Sequence, residues 1–318
     1  MKYPEGTTEN YTSVTEFIIL GFSNLPHMER LLFLLFIRIY FITMLGNILI
    51  LIFINVEPAL HTPMYFFHRN LSFLEICYTS VILPKMMANL LSEDKTLSFA
   101  GCAAEMYFFL LFGVIECCLL AVMASDCYSA ICNPLRCVGF MNKTVSVHLA
   151  ASSWICGSLV ALSHTTFIFT LPFCRSNVIS HFFCEIPLVL TLVCGDTYWN
   201  EIQIIVAAAF VIMMPFLLIL VSHIHIISMI LKMSSAKGRH SAFSTCSLHL
   251  AVMVLFYGTA VFIYICPKSS YSLDVDKLVS LFYSVMTPIL NPIIYSLRNK
   301  DVKGAIRRIG IKIFPPKI

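Results

Sequence analysis

Long apolar stretches alternate with short polar ones along the whole chain of 318 residues. A helix that crosses the hydrocarbon core of a bilayer, about 30 Å thick, needs about 20 mostly apolar residues. Helices are expected because lipid offers backbone groups no partners, and the alternating pattern of a membrane β-barrel is absent. The pattern predicts membrane spans at about 31–55, 63–90, 99–126, 145–168, 200–231, 242–266 and 273–297.

The composition supports this interpretation, because 58% of the residues are hydrophobic and only 12% are charged. Soluble domains carry about 25% charged residues, so a water-soluble fold of this length would leave a large apolar surface exposed. The sequence therefore predicts an all-α integral membrane protein, a bundle of seven transmembrane helices. The second span is the least regular, since it contains His68, Arg69, Glu75 and Lys85.

Lysine and arginine predict the orientation of this bundle. If the N-terminus is outside, the inner segments hold about twice as many of these residues as the outer ones, as cytoplasmic loops usually do. The chain then divides into an extracellular tail (1–30), the bundle (31–297) and a cytoplasmic segment (298–318) with a short amphipathic helix. The polar start lacks the apolar core of a cleavable signal peptide, so we expect the first span to direct insertion.

Glycosylation sequons agree with this orientation. The sequon "NYT" at Asn10 lies in the outer tail, where a sugar can be attached. The sequons at Asn70 and Asn142 fall in a span and in an inner loop, so we expect no modification there.

Cysteines at the outer rim predict disulfide bonds. The chain has 13 cysteines, most of them inside apolar spans. Four lie in the oxidising compartment and allow three pairings, which the spacing does not distinguish. They are Cys102, Cys174, Cys184 and Cys194. His181 and Cys184 in "HFFCE" also have the spacing of a metal-binding pair, but half of a disulfide beside a solvated histidine is the better interpretation.

Several motifs are specific for one family. They are "LHTPMYFF" at 60–67, "LSFLEICYTS" at 71–80, "MASDCYSAICNPLRC" at 123–137, "AFSTCSLHL" at 242–250 and "PILNPIIYSLRNK" at 288–300. With these motifs the chain resembles a vertebrate odorant receptor, a rhodopsin-like (class A) G-protein-coupled receptor. The resemblance implies plasma-membrane localisation, in the cilia of olfactory neurons, and coupling to a heterotrimeric G protein of the stimulatory, olfactory class. It implies no nucleic-acid partner, no enzymatic activity and no cofactor beyond a structural sodium ion.

The resemblance also implies a pocket for a small, volatile, neutral and hydrophobic ligand in the outer half of the bundle. None of its residues is an acid that would bind an amine, and Tyr257 and Tyr264 could each give one orienting hydrogen bond. Ordinary packing is the alternative for each position taken alone. The matching residues are Phe109, Leu110, Gly113, Val114, Cys117, Ala207, Ala208, Val211, Tyr257, Ala260, Val261, Tyr264, Leu281 and Ser284.

The family pattern further implies the disulfides Cys102–Cys184 and Cys174–Cys194. Two intramembrane acids, Glu75 and Glu116, match family positions and are functional candidates because charge inside a span is costly. With Asn47 and Asn291 they form a predicted sodium or water site. The alternative is a pair of protonated carboxyl groups hydrogen-bonded to the backbone.

The cytoplasmic side departs from the family. Asp126 and Tyr128 match an Asp-Arg-Tyr triad, but Cys127 stands where the family has arginine, and a thiol cannot make the forked contacts of a guanidinium. Three more positions belong to this region: His223 replaces a usual tyrosine, Ser241 a usual lysine, and Ser125 a tyrosine before the triad. The sequence therefore predicts weak or absent coupling.

Conformational switching is predicted at three points in the inner half. Pro215 and the pair Asn291–Pro292 interrupt helical hydrogen bonding, and Tyr295 matches the switch tyrosine of the family. Arg38, in the middle of the first span, matches no family position.

Other functions fit the sequence less well. A coupling-deficient, receptor-derived membrane protein is the main alternative. A small transporter is disfavoured because the sequence shows no inverted repeat. A membrane enzyme is disfavoured because no nucleophile–base set is present, and His223 and His225, two residues apart, point to different faces of a helix.

Overall fold

The computed structural model describes residues 14–22, 28–132, 141–173, 176–232, 235–264 and 273–297. Helices dominate this part of the chain, and the boundaries follow the apolar stretches of the sequence. They are α1 (Glu29–Val56), α2 (Pro63–Leu91), α3 (Phe99–Cys132), α4 (Lys143–Phe169), α5 (Ile186–Leu190), α6 (Tyr198–Ala208), α7 (Met214–Lys232), α8 (Ala236–Tyr264) and α9 (Leu273–Leu297).

Each predicted span corresponds to one long helical segment. By length and composition, five of these segments could cross a membrane: α1, α2, α3, α4 and the continuous segment Tyr198–Lys232. Helices α8 and α9 contain the shorter apolar segments Leu250–Tyr264 and Lys277–Leu290. Two helices continue past the predicted limits, α3 to Cys132 rather than 126 and α8 from Ala236 rather than 242. A helix need not stop where its apolar stretch ends, because its backbone bonds remain satisfied.

The outer surface of the bundle is apolar. On α1 the side chains of Leu34, Phe41 and Leu45 are 52%, 64% and 60% exposed. A surface of this kind is suited to contact with lipid and not with water. Arg38 lies on an exposed part of the same helix and not in the bundle interior. Its long aliphatic stem allows the guanidinium to extend along the helix towards the membrane surface.

Helix α3 occupies the centre of the bundle. It packs against α2, α4, α7 and α8, while α9 packs against α1, α2 and α8. Aromatic rings join these helices: the ring centroids of Tyr78 and Phe109 are 5.9 Å apart, and those of Phe256 and Tyr283 are 5.3 Å apart. The core therefore sits around α3, with rings contributed by α2, α8 and α9.

Two glycines allow helices to approach closely. A Cβ atom at Gly157 of α4 would lie 2.6 Å from Ile115 Cγ1 and 3.0 Å from the Leu111 carbonyl oxygen of α3. A Cβ atom at Gly46 of α1 would lie 3.0 Å from Pro292 Cβ of α9. Beside Gly46, Asn47 Nδ2 donates to the carbonyl oxygens of Thr43 (3.0 Å) and Pro288 (3.4 Å). The Gly-Asn pair thus fixes α1 against α9.

The segment between α6 and α7 is a π-helix, Ala209–Met213. Pro215 lies two residues after it and has no N–H to donate to a carbonyl one turn earlier, which accounts for the local change in hydrogen bonding. The sequence predicted an interruption at Pro215 but not a π-helix. Such bulges are frequent at functional sites.

A small sheet lies outside the helices. Strand β1 (Glu16–Ile19) pairs antiparallel with β2 (Thr96–Ser98) and parallel with β3 (Val178–Ile179). Phe17 of β1 packs against Phe99 and Phe173, with ring centroids 5.9 Å and 5.8 Å apart. Part of the predicted N-terminal tail is therefore an ordered strand, which sequence analysis did not anticipate because four residues carry too little periodicity.

The contact at Gly157 generates a stability prediction. We expect Gly157→Ala to lower the thermal denaturation temperature of the purified protein in detergent, because overpacking of a tight contact costs about 1–3 kcal/mol. Gly258→Ala is the matched control, since nothing lies within 4 Å of a Cβ atom there. Equal denaturation temperatures for the two variants would contradict the close α3–α4 contact.

Candidate ligand-binding cavity and its lid

A cavity lies between α3, α4, α6 and α8, in the half of the bundle that contains the start of α3, beside the π-helix. Its volume, as the space open to the centre of a water-sized sphere, is about 80 Å³. The lining residues are mostly apolar, and four of them, Cys117, His164, Tyr264 and Tyr283, carry a polar side-chain atom. The lining consists of Phe109, Leu110, Gly113, Val114, Cys117, Val160, His164, Ile186, Ile204, Ala207, Ala208, Val211, Ile212, Phe256, Ala260, Tyr264 and Tyr283.

Most of the pocket residues predicted from the sequence line this cavity, including all of those on α3 and both alanines of α6. The predicted residues that do not line it are Tyr257, Val261, Leu281 and Ser284. On α9 the cavity is bounded by Tyr283 instead, whose hydroxyl oxygen would lie 3.2 Å from a Cβ atom at Gly113. Ser284 is buried elsewhere in the core. Tyr283 therefore forms this wall of the cavity in place of the predicted Leu281 and Ser284.

Tyr257, which does not line the cavity, connects two helices. Its hydroxyl donates to the Cys117 carbonyl oxygen at 2.9 Å, and the residue is fully buried. This bond ties α8 to α3 below the cavity. In this arrangement the only proton of the hydroxyl is donated to the backbone and not to the cavity.

Helix α4 contributes two lining residues that sequence analysis missed, Val160 and His164. They are four residues apart and therefore share one face of the helix. The pocket positions that the family resemblance implies all lie in the third, fifth, sixth and seventh spans, and none lies in the fourth. The available signal was a single histidine within the apolar sequence "SLVALSHTTFIF".

Residues 181–186, called the lid below, close the end of the cavity that faces the start of α3. The disulfide Cys102–Cys184 connects the start of α3 to the segment before α5, as the family pattern implied. Glu105 Oε2 accepts a hydrogen bond of 3.1 Å from the Cys184 backbone N–H, one turn below the disulfide. Ile186, two residues further on, lines the cavity. The lid is therefore attached to α3 by a covalent bond and by a buried carboxyl group.

The lid is internally packed. Phe183 lies against Phe109 of α3, with ring centroids 4.7 Å apart, and Phe182 stacks on Phe22 at 5.6 Å. His181 Nε2 lies 4.0 Å from Glu185 Oε2, and both side chains are fully buried. The sequence interpretation of a solvated histidine at this position is thus wrong, because Phe182 and Phe183 enclose the ring.

Two further observations bear on the cysteines. The Cys184 sulfur is held in the disulfide, so it cannot act with His181 as a metal-binding thiolate. Cys194 is also disulfide-bonded, while its predicted partner Cys174 lies outside the described residues. In the part of the chain that the structure describes, no group of three or more His, Cys, Asp or Glu side chains could hold a metal ion.

Comparison with known proteins identifies the family. Residues 36–312 match the model of the olfactory receptor family. Human olfactory receptor 10C1 is 55% identical over 309 residues, 97% of this chain and 99% of the relative. Human olfactory receptors 10A7 and 2D2 are 53% and 49% identical, over 94% and 96% of this chain and 95% and 99% of theirs.

The chain belongs to the olfactory receptor family. It is therefore a multi-pass membrane receptor of the G-protein-coupled class and not an enzyme. An odorant ligand and a G protein are the partners that this family implies, and the resemblance stated from the sequence motifs is confirmed.

The receptor buries the two intramembrane acids. Glu75 on α2 and Glu116 on α3 are 0% and 1% exposed. Asn47 is 0% exposed, and its Oδ1 accepts no hydrogen bond from the described residues. The side chain of Asn291, the fourth member of the predicted sodium site, is outside the described part.

The C-terminal end of α3 is packed against α7. Cys127 and Tyr128 contact the buried pair Ile226 and Ile230, and Asp126 is itself buried. His223, at the position of the usual tyrosine, is 2% exposed, and its Nδ1 lies 2.9 Å from the Ile219 carbonyl oxygen. The position of the family arginine is thus taken up by a thiol within an apolar contact.

Several predicted residues lie where the structure is not described. They include Asn10 of the sequon, residues 298–318 with the predicted amphipathic helix, and the side chains of Ser241 and Tyr295. Asn142 is described and caps α4, accepting a hydrogen bond of 2.9 Å from the Val145 N–H.

The attachment of the lid generates a second prediction. We expect Cys102→Ser to lower the denaturation temperature of the receptor, since loss of a native disulfide costs about 2–5 kcal/mol. Cys156→Ser, which replaces an exposed free cysteine on α4, is the control and should have no effect. A reducing agent should destabilise the parent and the control more than Cys102→Ser, because, of the disulfides that the structure describes, that variant retains only that of Cys194. An equal response of all three chains to reduction would contradict a stabilising role for this bond.

Proposed function

We propose that the receptor binds a small, neutral, hydrophobic odorant in the cavity and signals through a heterotrimeric G protein of the stimulatory class. The observation that carries this proposal is the apolar cavity beneath the lid, formed largely by the residues at the family's ligand-binding positions. A pocket with apolar walls and a few convergent polar groups is typical of small-molecule sites.

The chemistry of the lining supports a neutral ligand. Among the lining residues that the structure describes, none is Asp, Glu, Lys or Arg. A charged ligand would lose its hydration without gaining an opposite charge, and this loss is costly in an apolar site. An apolar ligand gains about 25 cal/mol for each Å² of apolar surface that leaves water.

The position of the cavity supports signalling by a shift between two arrangements of the helices. Ala207, Ala208 and Val211 line it at the junction of α6 with the π-helix, just before Pro215. The same helical segment continues to Ile226 and Ile230, which contact the end of α3. A ligand that contacts one arrangement better than the other would shift their populations, and α7 would transmit the change.

The membrane topology follows the same proposal. We place the N-terminus and the lid outside and residues 298–318 in the cytosol, with the receptor in the plasma membrane of olfactory neuron cilia. The excess of lysine and arginine in the inner segments supports this orientation. The disulfide at the outer end of α3 agrees with it, because disulfides persist in oxidising compartments.

A coupling-deficient receptor is the second candidate, and the packing of Cys127 favours it. A thiol among Ile226 and Ile230 cannot extend to a G-protein helix or pair with the neighbouring Asp126 as arginine does. In this case the cavity would still bind odorants, but binding would not be followed by efficient activation.

One experiment tests function and coupling together. A panel of neutral volatile compounds is applied to cells that carry the present chain or Cys127→Arg, and cAMP is measured at matched surface expression. We expect Cys127→Arg to raise the maximal response at least several-fold, because arginine restores the charged, forked contact. Cys132→Arg is the control, since it places the same charge in the same apolar contact, five residues away from the triad position.

The outcomes separate the two candidates. A full response by the present chain, equal to that of Cys127→Arg, would refute impaired coupling. A response restored by Cys132→Arg as well would show that charge alone suffices and that the triad position is not special. If neither chain responds and no compound alters the denaturation temperature of the purified receptor, the odorant-binding proposal is wrong.

We further propose that a sodium ion occupies the region of Glu75, Glu116 and Asn47. The donor set fits, because hard cations prefer carboxylate and amide oxygens. The buried Asn47 Oδ1, which no described donor reaches, supports an additional ligand here. The two carboxylates would supply charge and Asn47 a neutral oxygen, and Asn291 is the predicted fourth residue.

The sodium proposal predicts a cation-specific stabilisation. Replacing choline by sodium at constant ionic strength should raise the denaturation temperature of the purified receptor, because the ion binds only the folded state. We expect Glu116→Gln and Glu75→Gln to abolish this increase. Glu105→Gln, which alters a buried acid of α3 outside the set, should retain it. A sodium effect that persists in Glu116→Gln would contradict the site.

A further inference from the structure

The cavity contains one imidazole ring, that of His164, whose hydrogen bonding in the structure determines which nitrogen is protonated. Nδ1 of His164 lies 2.9 Å from the Val160 carbonyl oxygen, one turn earlier on α4. A carbonyl oxygen can only accept a hydrogen bond, so Nδ1 carries the proton. In the neutral ring, Nε2 is then left with a lone pair and acts as an acceptor.

The neighbouring serine agrees with this assignment. Ser163 Oγ donates to the Val160 carbonyl oxygen at 2.9 Å and lies 3.4 Å from His164 Nδ1. Since its proton is used by the closer carbonyl, the serine oxygen faces Nδ1 as an acceptor. Both contacts therefore require the same tautomer, and the helix backbone maintains it.

The other polar side-chain atoms of the cavity differ from His164 Nε2 in their hydrogen-bonding chemistry. Tyr264 and Tyr283 are phenols, which donate as well as accept, and Cys117 has a thiol. The carbonyl oxygen of Cys117 already accepts the hydroxyl of Tyr257. Within the described lining, His164 is the one side chain that offers a nitrogen acceptor.

We propose that His164 is a specificity-determining residue of the cavity, whose Nε2 accepts a hydrogen bond from the hydroxyl group of an alcohol or phenol. Ethers and aldehydes of the same size lack a donor and therefore bind less well. The proposal rests on the proposed function of the cavity and specifies its ligand class. The apolar walls contact the hydrocarbon part of the ligand while His164 orients its polar end.

The test uses straight-chain primary alcohols of medium length, such as octanol, with methyl ethers and aldehydes matched in length. Affinity is measured as the concentration dependence of ligand-induced thermal stabilisation of the purified full-length receptor, which does not require coupling. cAMP in cells that carry Cys127→Arg gives a second readout. We expect the parent to prefer alcohols over ethers about three- to tenfold, the range that a net hydrogen bond supplies.

Three variants distinguish a specific contact from a general effect. His164→Phe keeps a planar ring but removes both nitrogens, so the alcohol preference should disappear while ether affinity stays within about twofold. His164→Gln keeps an acceptor and adds an N–H donor, so alcohol binding should remain and aldehydes should gain relative to the parent. His148→Phe, the same change at an exposed position of α4, is the control and should match the parent.

An alcohol preference that persists in His164→Phe, or equal affinities for alcohols and ethers in the parent, would overturn the role of His164. If His164→Phe does not fold, His164→Gln remains decisive, since an unchanged aldehyde-to-alcohol ratio in that variant overturns the proposal. Absence of any stabilisation by every compound in the parent and the control would instead overturn the proposed function of the cavity.

Discussion

The attachment of the outer segment to α3 is the constraint on which the cavity depends. The Cys102–Cys184 disulfide fixes one point of this segment, and the hydrogen bond from the Cys184 N–H to Glu105 fixes its direction. Without these bonds, this segment would be held against the bundle only by side-chain packing and by the pairing of β3, and the position of Ile186 in the wall would be less restricted. A covalent bond removes conformational freedom that a loop of this length otherwise keeps.

Helix α3 also organises the rest of the bundle. It contacts α4 through Gly157, where the absence of a side chain lets the backbones approach, and it accepts the Tyr257 hydroxyl of α8 at the Cys117 carbonyl oxygen. Inside a bilayer, helices gain little from hydrophobic burial against one another, so close packing and hydrogen bonds between helices matter more than in water. The cavity is the space that remains on the outer side of these contacts.

The sequence predicted a large part of the cavity, and the errors have identifiable causes. The predicted residues Phe109, Gly113 and Val114 line the cavity, and their position is fixed relative to the disulfide at the start of the same helix. Tyr257 lies outside the lining, and its hydrogen bond to a backbone oxygen of another helix has no signal in the sequence. His164 was missed because a single histidine in an apolar stretch has no periodic signal, and its tautomer depends on the Val160 carbonyl oxygen.

The sequence alone determined the class of fold, the boundaries of the long helices within a few residues, the family and the unusual cysteine in the triad. These properties are local, because a long apolar run and a contiguous motif can be read without knowing which segments touch. Tertiary structure alone decided the strand formed by residues 16–19, the π-helix before Pro215, the wall provided by α4 and the enclosure of His181. The strand, the α4 wall and the packing of the lid around His181 depend on groups far apart in the chain, and their contacts are set by packing between elements, which no single stretch of sequence contains. The π-helix lies close to Pro215, but a proline in the sequence does not specify which change in hydrogen bonding it produces.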